Sequence, residues 1–79
     1  MKVYRFGKEP MTCYHIIIIE NDGEIRVSFI GLETIKEYIA EKVDCGDGII
    51  RLMYGAGSSM PYISKGGELC DKYTLLYED

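Results

Sequence analysis

The sequence predicts an α+β protein: one small domain over residues 1–79, with elements in the order ββαβββ and one helix packed on one face of a mainly antiparallel sheet. Three observations support this fold. Apolar residues recur at helical spacing between Leu32 and Val43 only. Asn21-Asp22-Gly23 is a hairpin turn signal between two β-rich segments, and Gly66-Gly67 is a second such signal.

The N-terminal segments before the helix read as strands. Lys2–Phe6 is predicted to be a short edge strand or an ordered arm. Thr12–Glu20 is the segment richest in β-branched residues, and Glu24–Ile30 alternates cleanly between apolar and polar residues. Because Thr12–Glu20 carries isoleucines on both faces, it is either central in the sheet or leaves one face for a partner.

The predicted helix runs over residues 32–43, about three turns. One stripe is apolar and is expected to face the sheet; it consists of Leu32, Ile35, Ile39 and Val43. Gly31 can cap the helix at its N-terminus, and Cys45-Gly46 supplies a glycine at its C-terminus.

Three further strands follow the helix. Ile49–Tyr54 is the first, and the turn Gly55–Ser59 ends it. Met60–Ser64 and Glu68–Tyr77 are predicted to form the second hairpin around Gly66-Gly67. Short hairpin loops make antiparallel pairing the expectation for most of the sheet.

Composition indicates an ordinary globular protein: 47% of the residues are hydrophobic and 28% are charged. The longest purely aliphatic run, Ile16–Ile19, is far shorter than the ~20 residues of a membrane span. The first residues lack the long apolar stretch of a signal peptide. We therefore expect a cytoplasmic protein that does not bind membranes.

The chain is acidic, with a formal net charge of -4 and a pI near 4.9. This argues against direct binding of nucleic acid, which requires clustered Lys and Arg, and favours a basic partner protein. The cysteines Cys13, Cys45 and Cys70 are an odd number at wide spacing, which fits free thiols in a reducing compartment.

The cysteines, the single histidine and the glycine-rich loop do not support a catalytic or metal site. Cys13 and His15 lie two residues apart on a predicted strand, but His15 is the only histidine, so no group completes a nucleophilic site. A zinc site would require Cys13, His15, Cys45 and Cys70 without a Cys-x-x-Cys knuckle. Gly55–Ser59 lacks the lysine and the following helix of a phosphate-binding loop. We predict no enzyme activity, cofactor or metal.

The predicted partner-binding set is acidic. On the expected helix, Glu33, Glu37 and Glu41 form a row of like charges that costs a few tenths of a kcal/mol per pair, so the row is a candidate for binding rather than folding. Its repeat of about 6 Å is comparable to the spacing of backbone phosphates. Asp44 and Asp47 extend the row. The alternative is an ordinary solvated helix face.

The chain is small and acidic, has a compact plan and seven tyrosines, and lacks a catalytic set. In these properties it resembles the small phage-encoded inhibitors of bacterial defence, above all the anti-CRISPR proteins. The resemblance implies a non-enzymatic nucleic-acid mimic that acts in the host-cell cytoplasm, where it binds a CRISPR effector and blocks the entry of nucleic acid. The alternative is a small interaction module, such as a β-grasp-like adaptor, that pairs with its partner through an open strand.

Overall fold

The computed structural model describes residues 1–7, 14–44 and 46–79, and for Tyr14 the backbone only. It shows seven strands, which are β1 (Lys2–Phe6), β2 (Tyr14–Asn21), β3 (Glu24–Gly31), β4 (Ile35–Asp44), β5 (Ile50–Tyr54), β6 (Ser58–Ile63) and β7 (Tyr73–Glu78). The described residues contain no helix. The predicted α+β class and the ββαβββ order are therefore wrong: the fold is all-β.

The seven strands form one antiparallel sheet in the order β6-β5-β4-β3-β2-β1-β7. From β1 to β6, each strand pairs with the next strand in the chain. β7 then returns to the far side of β1. Consequently β1 is an internal strand and not the predicted edge strand. β2 lies between β1 and β3, which is the central position that its isoleucine-rich sequence allowed.

The predicted helix is the strand β4. Side chains of a strand point to alternate faces, so Ile35, Ile39 and Val43 share one face of β4 with Glu37. The four-residue spacing of these apolar residues satisfies both periods. Ile, Val and Tyr favour an extended chain, and β4 finds a complete partner in β3, where Val27 lies opposite Tyr38. Pairing with β3 decides between the two conformations.

The hairpin of β2 and β3 is confirmed. Asn21 lies opposite Glu24, so Asp22 and Gly23 are its two turn residues. Both have positive φ, 51° for Asp22 and 81° for Gly23. A type I′ turn requires this pair of angles, and Asp-Gly is one of the sequences that adopt it readily. The turn fixes which residues of β2 face the interior.

The second predicted hairpin is wrong. Residues 64–67 do form a turn, closed by the Gly67 N–H donating to the Ser64 carbonyl at 2.9 Å. The segment beyond it makes only an isolated bridge between Ile63 and Leu69. β7 then pairs with β1 and not with β6.

The sheet is curled so that its two outer strands approach each other. The rings of Tyr62 on β6 and Tyr73 on β7 are 5.4 Å apart in an edge-to-face arrangement. The Tyr73 hydroxyl donates to the Pro61 carbonyl at 2.6 Å, and the Cys70 N–H donates to the Tyr62 carbonyl at 2.8 Å. The sheet is thus a half-barrel with a concave inner face.

The hydrophobic core fills this concave face. Its buried residues are Tyr4, Ile16, Ile18, Ile25, Val27, Ala40, Leu52, Met60, Tyr62 and Tyr73. Ile18, Val27 and Leu52 are fully buried. The prediction that Ile35 and Ile39 pack in the core is wrong, because β4 turns Ala40 inward and these two isoleucines outward.

Candidate partner-binding surface

The acidic residues singled out by the sequence lie on β4 and its two flanking loops. Glu33 is in the loop between β3 and β4, Glu37 and Glu41 are on the outer face of β4, Asp44 ends the strand, and Asp47 follows it. All five side chains are exposed. They are spread along the length of β4 and its loops and do not form one helical row.

The spacing argument for phosphate mimicry is wrong in its helical form. On a strand, residues four apart are separated by about 13 Å, because each residue advances the chain by about 3.3 Å. Glu37 and Glu41 are therefore about twice as far apart as a helix would place them. Ile39 lies between them on the same face.

Glu37 is neutralised within the sheet. Its Oε1 atom accepts from Arg26 Nη1 at 2.5 Å, and the Nε atom of the same guanidinium donates to Glu24 Oε1 at 2.5 Å. The two carboxylates raise the pKa of Arg26, with Glu37 as the larger cause. The Ser28 hydroxyl, which is buried on the outer face, also donates to Glu37 at 3.3 Å. These side-chain contacts connect β3 to β4.

The two aspartates hold the loop after β4. The Gly46 N–H donates to Asp44 Oδ1 at 2.8 Å. Asp47 accepts from the Ile49 N–H at 3.0 Å and from Arg51 at 3.1 Å. These hydrogen bonds, the backbone one first, hold the pKa of Asp47 below its usual value. Both residues therefore have a local role in the loop, which sequence reasoning missed although aspartates beside glycines are typical of such turns.

Glu33 and Glu41 differ from the other acidic residues. Among the described parts of the chain, neither carboxylate has an ion pair or a hydrogen bond with a side chain. Both are exposed to solvent, Glu33 in the loop before β4 and Glu41 on the outer face of the strand. They are the members of the predicted set best placed to pair with a partner's cations.

Exposed apolar side chains, as well as the Glu37–Arg26 ion pair, lie between these two carboxylates in the chain. Ile35 is 70% exposed and Ile39 is 64% exposed, and Leu32 in the preceding loop is 97% exposed. The two isoleucines are about 13 Å apart along the strand, and the Glu37–Arg26 ion pair lies between them. The helical interpretation assigned these residues to the core, so the apolar part of this surface was missed. We call the surface formed by Ile35, Ile39 and Glu41 on the outer face of β4, together with Glu33 in the preceding loop, the β4 face.

A cleft lies on the opposite face of β4 from Ile35 and Ile39. Three rings pack against one another there, with centroids 5.5 to 5.9 Å apart; they belong to Phe29, Tyr38 and Tyr54. Lys36 and the turn at Gly55 complete the lining of a cleft of about 660 Å³. Of the predicted turn Gly55–Ser59, residues 55–57 form the turn of the β5–β6 hairpin, and Ser58 and Ser59 are the first residues of β6.

The candidate thiol and metal residues do not come together in the described structure. Cys13 and Cys45 lie outside the described residues. His15 is exposed on β2, and Cys70 is partly buried after the 64–67 turn. No group of three His, Cys, Asp or Glu residues within residues 1–7, 14–44 and 46–79 could hold a metal ion. Metal independence therefore stays a prediction.

Comparison of the chain with protein-family models, with curated proteins and with solved structures gave no match. In the part of the chain that the structure describes, no helix has the length and apolar character needed to cross a bilayer.

Proposed function

We propose that the protein is a non-enzymatic acidic inhibitor that docks through the β4 face on a basic, nucleic-acid-handling protein and excludes its nucleic acid. One observation carries the proposal. Ile35 and Ile39 are both exposed on the outer face of β4, on either side of the Glu37–Arg26 ion pair, and the exposed carboxylates of Glu33 and Glu41 lie before and after them in the chain.

The chemistry of this surface suits arginine and lysine side chains. Both have an apolar stem and a charged head. The stem can cover an exposed isoleucine while the head pairs with a neighbouring carboxylate. Such hydrogen bonds between charged groups are shorter and stronger than neutral ones. The apolar contact supplies desolvated area at the centre, and the carboxylates supply orientation at the rim.

Net charge supports the same class of partner. At -4, the chain is repelled by nucleic acid and attracted by the cationic grooves that bind it. A protein seated in such a groove competes directly with the nucleic acid. The resemblance to anti-CRISPR proteins makes a CRISPR effector the first target to test, with action in the host-cell cytoplasm.

The test uses two charge-reversed variants with the same change in net charge. Glu33→Lys with Glu41→Lys alters the β4 face. Glu68→Lys with Asp71→Lys alters exposed residues of the segment between β6 and β7. Purified effector and guide RNA complexes of several CRISPR types are mixed with labelled target DNA, and DNA binding is measured as each chain is added.

The parent chain and the Glu68 and Asp71 variant should displace DNA from one effector type. The Glu33 and Glu41 variant should require at least tenfold more protein, since two charge-assisted contacts become repulsive. Equal inhibition by both variants would reject the β4 face. If the chain displaces DNA from none of the effectors, a CRISPR target is rejected.

A further inference from the structure

One end of the concave inner face opens to solvent beside the core. Tyr38 shares the inner face of β4 with the buried Ala40, because side chains two residues apart on a strand point the same way. Phe29 and Tyr54 pack against the core from the strands on either side of β4. The cleft that these three rings line, which we call the aromatic cleft, therefore continues the hydrophobic interior out to the surface.

The size and the lining of the aromatic cleft suit a small molecule. Its volume of about 660 Å³ falls within the ~300 to 1,000 Å³ that is typical of ligand sites. The rings come from β3, β4 and β5, which are hydrogen-bonded neighbours, so the sheet fixes their positions. The rings are inclined to one another by 43 to 79° and so form walls rather than a flat stack. A planar apolar group can be covered there with little loss of side-chain entropy.

The aromatic cleft carries a positive charge although the chain is acidic. Among the lining residues that the structure describes, Lys36 is the only charged one. It lies opposite Phe29 in the β3–β4 pairing, so the Cβ atoms of these two residues are about 5 Å apart. Within the described part of the chain the ammonium group of Lys36 has no ion pair. A cation beside aromatic rings, in a chain with 13 acidic and nine basic residues, favours an anionic ligand at this site.

We propose that the aromatic cleft binds a small, planar apolar molecule that carries one anionic group, of the class of aromatic carboxylates. The rings cover the planar part, and Lys36, whose side chain is exposed, pairs with the anion. One lysine matches one negative charge, whereas a polyanion would be repelled by the net charge of -4 on the chain. The site is on the opposite face of β4 from the β4 face, so it does not depend on the proposed inhibitor function.

Three probes of similar shape and different charge test the proposal. They are naphthalene carboxylate, the corresponding neutral carboxamide and the corresponding methylammonium cation. Each is titrated into isotope-labelled protein at neutral pH, and the changes in amide chemical shift report both the site and the dissociation constant. The carboxylate should shift the amides of Lys36, Tyr38 and Tyr54. It should bind about threefold more tightly than the carboxamide and about tenfold more tightly than the cation, because Lys36 attracts the first and repels the last.

Matched variants separate the charge from the rings. Lys36→Gln removes the cation and keeps most of the side-chain length, so it should abolish the preference for the carboxylate over the carboxamide. Lys72→Gln makes the same change at an exposed lysine outside the cleft and should leave all three affinities unchanged. Tyr38→Leu removes one ring and should weaken the carboxylate and the carboxamide alike, by about threefold. Circular dichroism checks that each variant is folded.

Three results would overturn the proposal. The first is a parent chain whose amides around the aromatic cleft do not shift at millimolar concentrations of the carboxylate. The second is equal affinity for the three probes, which would make the cleft an apolar surface without selection for an anion. The third is a Lys36→Gln variant that still prefers the carboxylate. Because Lys36 is exposed, this last variant should fold even if Tyr38→Leu does not.

Discussion

The Tyr62 hydroxyl on β6 donates a 2.6 Å hydrogen bond to the Glu20 carboxylate on β2. These strands are separated by β5, β4 and β3 in the sheet, so the bond crosses the concave interior and not a strand pair. A flat sheet would keep the two side chains far apart. The bond therefore holds the curl of the half-barrel.

Removing this hydroxyl tests that role. Tyr62→Phe should lower the free energy of unfolding by about 1.5 kcal/mol, because the bond has a charged acceptor and its loss leaves Glu20 without its donor. Urea denaturation measures the change. Tyr77→Phe is the control, since the Tyr77 hydroxyl is 3.5 Å from Asp79 and exposed. Equal losses in the two variants would contradict the role of Tyr62.

Stability should fall at alkaline pH. Burial, together with Glu20, raises the pKa of Tyr62 well above the ordinary value of 10.0, and burial does the same for Tyr73. Both phenols stay protonated in the folded state, while the unfolded chain loses the protons near pH 10. The stabilisation is complete below that pH and should decline above it by about 1.4 kcal/mol per pH unit for each phenol.

Urea denaturation at a series of pH values above 10 measures this decline. The Tyr62→Phe variant provides the comparison, because only Tyr73 then contributes. Its slope should be about half the parental slope. Identical slopes would mean that Tyr62 titrates normally in the folded protein.

Truncating a leucine should lower the free energy of unfolding more at a buried position than at an exposed one. Leu52→Ala removes a fully buried side chain and should cost about 2 to 5 kcal/mol. Leu32→Ala makes the same chemical change at a side chain that is 97% exposed and should cost less than about 0.5 kcal/mol. Thermal unfolding of the two variants distinguishes them. The reverse order would restore the helical stripe as part of the core.

A side chain at Gly23 should destabilise the β2–β3 turn. The Gly23 φ of 81° is unfavourable for an L-residue, so Gly23→Ala should destabilise by about 1 kcal/mol or more, although no atom obstructs the added methyl group. Gly66→Ala is the matched control, since its added methyl group is also unobstructed but its φ is not in the left-handed region. Equal melting temperatures would exclude a type I′ turn.

Local turn chemistry made part of the fold predictable. Asn21-Asp22-Gly23 predicted its hairpin correctly, because few other conformations satisfy Asp-Gly between two β-branched segments. The segment 32–43 could not be resolved in the same way. Apolar residues at steps of four fit a helix and a strand equally well, and the choice depended on pairing with β3, which no local pattern encodes.

The candidate surface was predictable in its charges but not in its apolar part. Glu33 and Glu41 were identified from the sequence and are exposed. Ile35 and Ile39 were assigned to the core because a helix would have buried them. Because the segment is a strand, whose side chains repeat every 2 residues and not every 3.6, both isoleucines lie on the outer face with Glu37 and Glu41. Arg26 was missed as the partner of Glu37, since the pair depends on strand register.

The order of the strands determines how the chain entropy is lost during folding. Each pairing from β1 to β6 joins segments adjacent in the sequence, so its loop is short and cheap to close. Pairing of β7 with β1 instead joins Lys2 to Glu78, the most distant contact in the sheet. Since non-local pairings form slowly, we expect β7 to dock after the meander is complete. Until then β1 is itself an edge, so the order of folding exposes β1 first and the finished protein exposes β7.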